Sequence, residues 1–295
     1  MRRPSWQIDL KWALGLAACL LLLASGVLYS LAQATGRDTA IPLSTALIAT
    51  GINERVTDEE YALVQASATA NPEAEASLSP VAIPVVGAEI AGLTKEQAVA
   101  LVAGKLAVVL YEDGPQAADA LLVKPAPDAE GAQKPISLGP AGALSDRYHS
   151  KFSTYFAVAG LGALVLLCAV GFLSRGLGRL GSPAFIVALA SAPLVALWSA
   201  ASGAVGPGDG TDKPYMAAAR AAFRATAGDL QTTFLILFAA AFVAAALCFT
   251  GNTALIAVRR FVAWRRSRHT ATEAEPDIVP PPIIEAPTLG TGQPA

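Results

Sequence analysis

Paired carboxylates are the first residues in this chain whose type and spacing could do chemistry. Glu59-Glu60, Glu73 with Glu75, and Glu112-Asp113 have the proximity that general acid–base work needs. Each pair lies in an Ala-rich polar stretch, where neighbouring acids ordinarily form a solvated face. Asp209 and Asp212 stand among glycines like the start of a calcium loop. The roughly twelve-residue spacing with its closing Glu is missing, so a plain turn is expected. The two histidines, His149 and His269, fall on opposite expected sides of a membrane and cannot share a metal. Cys19, Cys168 and Cys248 all fall inside apolar runs. No GxSxG, HExxH, Walker loop or dinucleotide fingerprint occurs. These residues predict a protein that is not an enzyme, with no cofactor, no metal and no evident small-molecule substrate. Nucleic acid is not expected either, because the one Arg cluster has no folded module around it.

The elements that must position any site are set by four runs, Trp12–Gln33, Phe152–Leu173, Pro183–Val205 and Gln231–Val258, none with an Asp, Glu, Lys, Arg or His. A run of roughly 20 apolar residues crosses a hydrocarbon core of about 30 Å. The expected fold class is an all-α integral membrane protein with four transmembrane helices, 12–33, 152–173, 183–205 and 231–258, and a small, mainly helical exported domain between the first two. Only 15% of the chain is charged, against about 25% in soluble domains, and four spans account for the deficit. Ion pumps and intramembrane proteases place ionisable side chains inside the bundle; these runs offer none.

Charge sets the expected orientation. Residues 34–151 carry fifteen acids and eight bases, a net −7, whereas 1–11 has three bases and one acid, 174–182 has only Arg175 and Arg179, and 259–295 has five Arg against four acids. Positive flanks stay cytoplasmic, so the protein is expected in the cell membrane with both ends inside and 34–151 extracytoplasmic. Ala32-Gln33-Ala34 resembles a signal-peptidase site. The apolar stretch before it is nearer twenty residues than the 7–15 of a typical cleaved signal, which favours an uncut anchor; cleavage would leave three spans.

Between the spans, 34–113 reads as the ordered exported domain. Pro42 and Gly51 bracket a first helical pattern. Thr57-Asp58-Glu59-Glu60 and Thr94-Lys95-Glu96-Gln97 are capping boxes, with Val56 and Tyr61 spaced as a hydrophobic staple around the first. The second box opens a helix from Lys95 to about Tyr111 with an apolar stripe, Val99, Val102, Leu106 and Val109. That stripe needs a cover and is the candidate partner-binding face. Residues 114–151, rich in Pro and Gly, read as a linker. The 206–230 loop carries an amphipathic helix, with Met216, Ala219, Phe223 and Ala227 on one side and Arg220 and Arg224 on another, expected either to lie in the interface or to run straight into the fourth span past Gly228.

Two further patterns concern packing and lipid. Ala188, Ala192, Ala196, Ala200 and Ala204 place a small residue at every fourth position of the third span, a helix-packing candidate within one chain or between two. Arg259, Arg260, Arg265 and Arg266, with Phe261 and Trp264, form a basic juxtamembrane stretch suited to topology anchoring, anionic lipid or an acidic partner; Arg220 and Arg224 are candidates for the same contacts. The tail after Thr270 reads as disordered with polyproline character.

The order of parts, with both termini inside, a sizeable exported domain after the first span and three more spans, resembles the layout of the cell-division permease family. That resemblance implies a cytosolic ATPase partner and force handed to the exported loop. The 174–182 loop is short for the coupling segment such permeases use, and no motif carries over residue by residue. The primary expectation is a subunit or scaffold whose exported helical domain binds another membrane or envelope protein. The alternative is a permease-type transport or mechanotransmission subunit.

Charge distribution gives the first prediction. Protease added to intact cells or spheroplasts should remove an epitope placed near Gln116 and spare one at Ala295; protection of the Gln116 epitope would reverse the orientation.

Overall fold

The computed structural model describes residues 5–79, 81–122, 138–206 and 212–273. The expected tail beyond 273 and Asp209 lie outside these residues. The chain divides into a unit Met1–Phe249 and a unit Thr250–Ala295. Four helices are long and apolar enough to cross a membrane, over Trp6–Ala34, Asp146–Leu173, Gly178–Ala204 and Pro214–Arg266. This is the helix content of an all-α, multi-pass membrane protein.

Helix α1 (Ser5–Ala34) leads after a two-residue break into α2 (Arg37–Asn53), followed by α3 (Asp58–Ala70). A minimal hairpin, β1 (Glu75–Ala76) and β2 (Val85–Val86), pairs antiparallel with Glu75 opposite Val86. Then come α4 (Gly87–Ile90), α5 (Lys95–Glu112), α6 (Pro115–Ala120) and α7 (Gly139–Gly142). The chain returns through α8 (Asp146–Leu173), α9 (Gly178–Ala204) and α10 (Pro214–Glu273).

Both capping boxes form. Thr57 Oγ1 accepts from the Glu60 amide at 3.1 Å, and the Thr57 amide donates to Glu60 Oε2 at 3.0 Å. At the start of α5 the corresponding distances between Thr94 and Gln97 are 3.4 and 3.0 Å. Each box satisfies donors that a helix start leaves without partners. Gly92 supplies the positive φ of 83° that turns the chain into the second box, a conformation a side chain would strain. Helix α2 starts at Arg37, so Pro42 is interior to it. The amides of Thr39 and Ala40 both donate to the Gly36 carbonyl, at 3.0 and 2.8 Å, which begins the helix a turn before the proline.

The domain's core forms where α2 meets α5. Ile48, Ala49 and Ile52 of α2 face Val99, Val102, Leu106 and Leu110 of α5, and all of these are essentially inaccessible to solvent. Val56 and Tyr61, the expected staple pair, join the same cluster. The Tyr61 hydroxyl donates to the Leu93 carbonyl at 2.6 Å; burial first, and the Glu96 carboxylate second, hold its phenol above the usual range. At the rim, Lys95 pairs with Asp58 at 2.7 Å and Lys105 with Glu89 at 2.6 Å. The hydrogen bond from Lys105 lowers the Glu89 carboxyl, but solvent screens exposed pairs of this kind and they add little to stability.

Two expectations need correction. The stripe of α5 was read as awaiting a partner, yet Val99, Val102 and Leu106 are covered from within the chain by α2, and Val109 is half-buried. The 114–151 segment is not a plain linker where it is described. Residue 82 donates its amide to the Leu121 carbonyl at 2.8 Å, Val81 bridges Leu122, and Leu138 and Ala141 enter the domain's core. The helix of the 206–230 loop takes the second of its two expected courses and continues through Gly228 as α10. Its buried residues in the domain's core are Tyr215 and Ala219, while Met216 is exposed. A segment of about 80 residues makes a marginal core alone, and these returning pieces enlarge it.

Truncating a buried core leucine typically costs about 2–5 kcal/mol. Leu106→Ala should therefore lower the thermal midpoint of the full-length protein in detergent by several degrees, whereas Leu63→Ala, at a side chain 73% exposed, should leave it nearly unchanged. Equal shifts in the two variants would remove the α2–α5 interface as the centre of the domain.

Candidate functional site

In lipid, apolar side chains gain little by meeting one another, so helices associate through close backbone approach and polar bonds. Helix α1 is the hub of the bundle: α8 and α9 both pack on it and touch each other. Trp198 Nε1 donates to Ser30 Oγ at 3.0 Å, and the Ser30 hydroxyl donates to the Gly26 carbonyl at 2.8 Å. Gly26 itself is a close approach, since a Cβ there would overlap the Leu194 side chain. At the α1 C-terminus, His149 Nδ1 donates to the Ala32 carbonyl at 2.8 Å, closing an end that a helix leaves open. At the other end of the bundle, Lys11 Nζ donates to Ser182 Oγ at 2.9 Å, and the Ser174 hydroxyl donates to the same oxygen at 3.4 Å.

The five alanines of the third span share no single contact face. Ala188 is buried and Ala192 half-buried, but Ala196, Ala200 and Ala204 are exposed within the chain. A strict four-residue step drifts about 40° around a helix of 3.6 residues per turn, or about 160° from first to last. The seam on α9 instead uses Ala188, Ser191, Leu194 and Trp198, a mixture of three- and four-residue steps. Helix α10 follows the same mixed rule through Tyr215, Ala219, Ala227, Leu230, Phe234 and Ala241, all buried.

That one stripe joins domain to bundle. Tyr215 and Ala219 lie in the domain's core, whereas Leu230 and Phe234 cluster with Leu194 among the spans. Between them, Thr226 Oγ1 and Thr39 Oγ1 of α2 are 2.6 Å apart. The arginines of this helix are candidates for anionic lipid or an acidic partner. Arg220 instead pairs with Asp212 just before the helix, and Arg224 Nε donates to the Val205 carbonyl at 2.7 Å. They brace the α9–α10 connection, Arg224 on the carbonyl end of α9 where a cation is favourable. In the unit Thr250–Ala295, Arg259, Arg260, Arg265 and Arg266 are exposed along α10, and the Phe261 and Trp264 rings lie 5.8 Å apart.

Sequence reasoning missed a cavity of about 350 Å³ within the bundle. Its wall takes Ser25 and Tyr29 from α1, Phe156 from α8, Ser191 from α9, and Thr233 and Phe234 from α10. The Tyr29 ring stands between the other two aromatics, 5.2 Å from Phe156 and 6.3 Å, edge-on, from Phe234. Ser25 and Ser191 turn their hydroxyls to main-chain carbonyls of Phe156 and Val187, at 3.4 and 2.7 Å, which leaves an apolar lining. A second space of about 170 Å³ is lined by Tyr29, Gln33, Thr226, Asp229, Leu230 and Thr233. It shares Tyr29 and Thr233 with the first. Nothing in a one-residue-at-a-time hydropathy pattern announces a void between four helices.

Among the described residues, no group of three or more His, Cys, Asp or Glu is placed to hold a metal ion. No family model, curated protein or solved structure matches this chain.

The Thr39–Thr226 bond gives a direct test of the junction. Thr39→Val and Thr226→Val should each lower stability, and the double variant should cost less than their sum by about 0.5–1.5 kcal/mol. Strict additivity in detergent unfolding would show that α2 and α10 are not coupled there.

Proposed function

We propose that this chain is a non-enzymatic subunit or scaffold of a cell-membrane complex, with its helical domain exported and docked by a partner protein of the membrane or envelope. The carrying observation is the mounting of that domain. It is joined to the spans at one side by the two-residue break between α1 and α2. At the other side it shares its core with Tyr215 and Ala219 of α10. A domain held by two spanning helices keeps a fixed height and orientation, which serves recognition by another rigid body and adds little for a freely diffusing ligand.

The orientation that goes with this proposal rests on charge. The acidic segment lies outside and both ends lie in the cytoplasm, with the basic stretch from Arg259 to Arg266 anchoring the inner side and meeting anionic lipid. The α5 stripe is no longer available as the docking face. The most exposed large apolar side chains of the domain are Leu63 on α3 and Leu47 on α2, 73% and 52% exposed, ahead of Val86, and the two leucines take its place. The permease-type alternative draws on the same two-helix mounting, which would transmit force. Its weakness is the α8–α9 connection, Ser174–Leu177, which has no room for a cytosolic coupling helix.

Photocrosslinking residues installed singly at Leu47, Leu63 and Leu106 in living cells test the proposal. A discrete protein adduct at Leu63 or Leu47, absent at the buried Leu106, is expected. Adducts at none of the three, or the same diffuse ladder at all three, would refute docking on the domain. Recovery of a cytosolic ATPase as the adduct would place the domain inside and overturn the orientation on which both readings rest.

A further inference from the structure

We infer that the two joined cavities of the bundle form a binding site for an amphiphile with one alkyl chain and a protonated amine in its headgroup. The larger space offers the chain what it needs. Its volume of about 350 Å³ falls within the range of roughly 300–1,000 Å³ of ligand pockets. Its serine hydroxyls already bond to main-chain carbonyls, so an apolar occupant strands neither of them. The same occupant would face the Phe156 and Phe234 rings on either side of Tyr29.

The smaller space offers the headgroup a different chemistry. Gln33, Thr226 and Tyr29 bring hydrogen-bonding groups, and Asp229 brings a carboxylate that has no ion-pair or hydrogen-bond partner among the described residues. No Lys or Arg lines this space. A phosphate or carboxylate headgroup would meet Asp229 as a like charge, whereas an ammonium donates charge-assisted hydrogen bonds to it. Tyr29 and Thr233 line both spaces, so a single molecule can occupy the two at once, its polar end toward the α2 side of the bundle, where Thr226 meets Thr39. The order of surfaces, apolar chamber, aromatic boundary and acidic vestibule, is the order of parts in such a molecule.

The test uses full-length protein in phosphatidylcholine vesicles and two photoreactive probes, a long-chain primary alkylamine and the matching carboxylate, each with a diazirine near the chain end. The amine should label peptides spanning 22–29 and 187–194 about tenfold more than the carboxylate, as a charge-assisted bond warrants. Asp229→Asn, at an exposed position that leaves the fold intact, should abolish that preference. Thr233→Phe, also exposed, should narrow the junction and reduce labelling of both peptides several-fold, with thermal stability unchanged. Equal labelling by the two probes, or labelling indifferent to both substitutions, would overturn the assignment and leave ordinary contact with bilayer lipid.

Discussion

The burial of α5 against α2 is the interaction on which the rest of this structure depends. Helix α2 follows α1 after only Thr35 and Gly36, so whatever fixes α2 also fixes the domain's stance above the first span. The fixing comes from the completely buried Val99, Val102 and Leu106 against Ile48 and Ile52. Each such side chain contributes about 1.5–3 kcal/mol on full burial. The rim ion pairs are too exposed to supply a comparable amount. Without that apolar interface, the hairpin, the short helices and the bridge from Leu122 to Val81 would have nothing to pack on.

The bundle obeys different physics, and the two regimes meet on α10. In the domain, water drives apolar residues together; among the spans, packing shape and buried polar bonds replace that drive. Tyr215 and Ala219 answer to the first regime, Leu230 and Phe234 to the second. The stripe stays on one side of the helix through both. Thr226, bonded to Thr39 at the changeover, is the polar stitch between them.

The alanine stripe and the α10 stripe show how much a period reveals. The first runs from Ala188 to Ala204 and the second from Tyr215 to Ala241, but a constant step of four winds steadily away from any straight neighbour, while mixed steps of three, four, seven and eight wind less. Ala200 and Ala204 are accordingly left outside the packed seam, and α9 meets α1 through Ser191, Leu194 and Trp198 instead. The arginines teach the same lesson in electrostatics. Arg220 and Arg224 look like a free basic face when the helix is read alone. They are used by Asp212 and the Val205 carbonyl, partners that the connection from α9 brings back to them.

By itself the sequence determined what depends on near neighbours along the chain. The four spans follow from uninterrupted apolar runs longer than a bilayer is thick, and the starts of α3 and α5 follow from side chains three residues apart that close on each other's amides. Tertiary structure alone decided which apolar faces cover one another. Leu106 was legible as needing a cover but not as covered by Ile48 and Ile52, because their meeting depends on how the chain over 54–94 folds α5 back onto α2. The cavity beside Tyr29 was not legible at all. A void is set by the distances among four helices, and no residue type or spacing along one helix encodes the gap it leaves to the next.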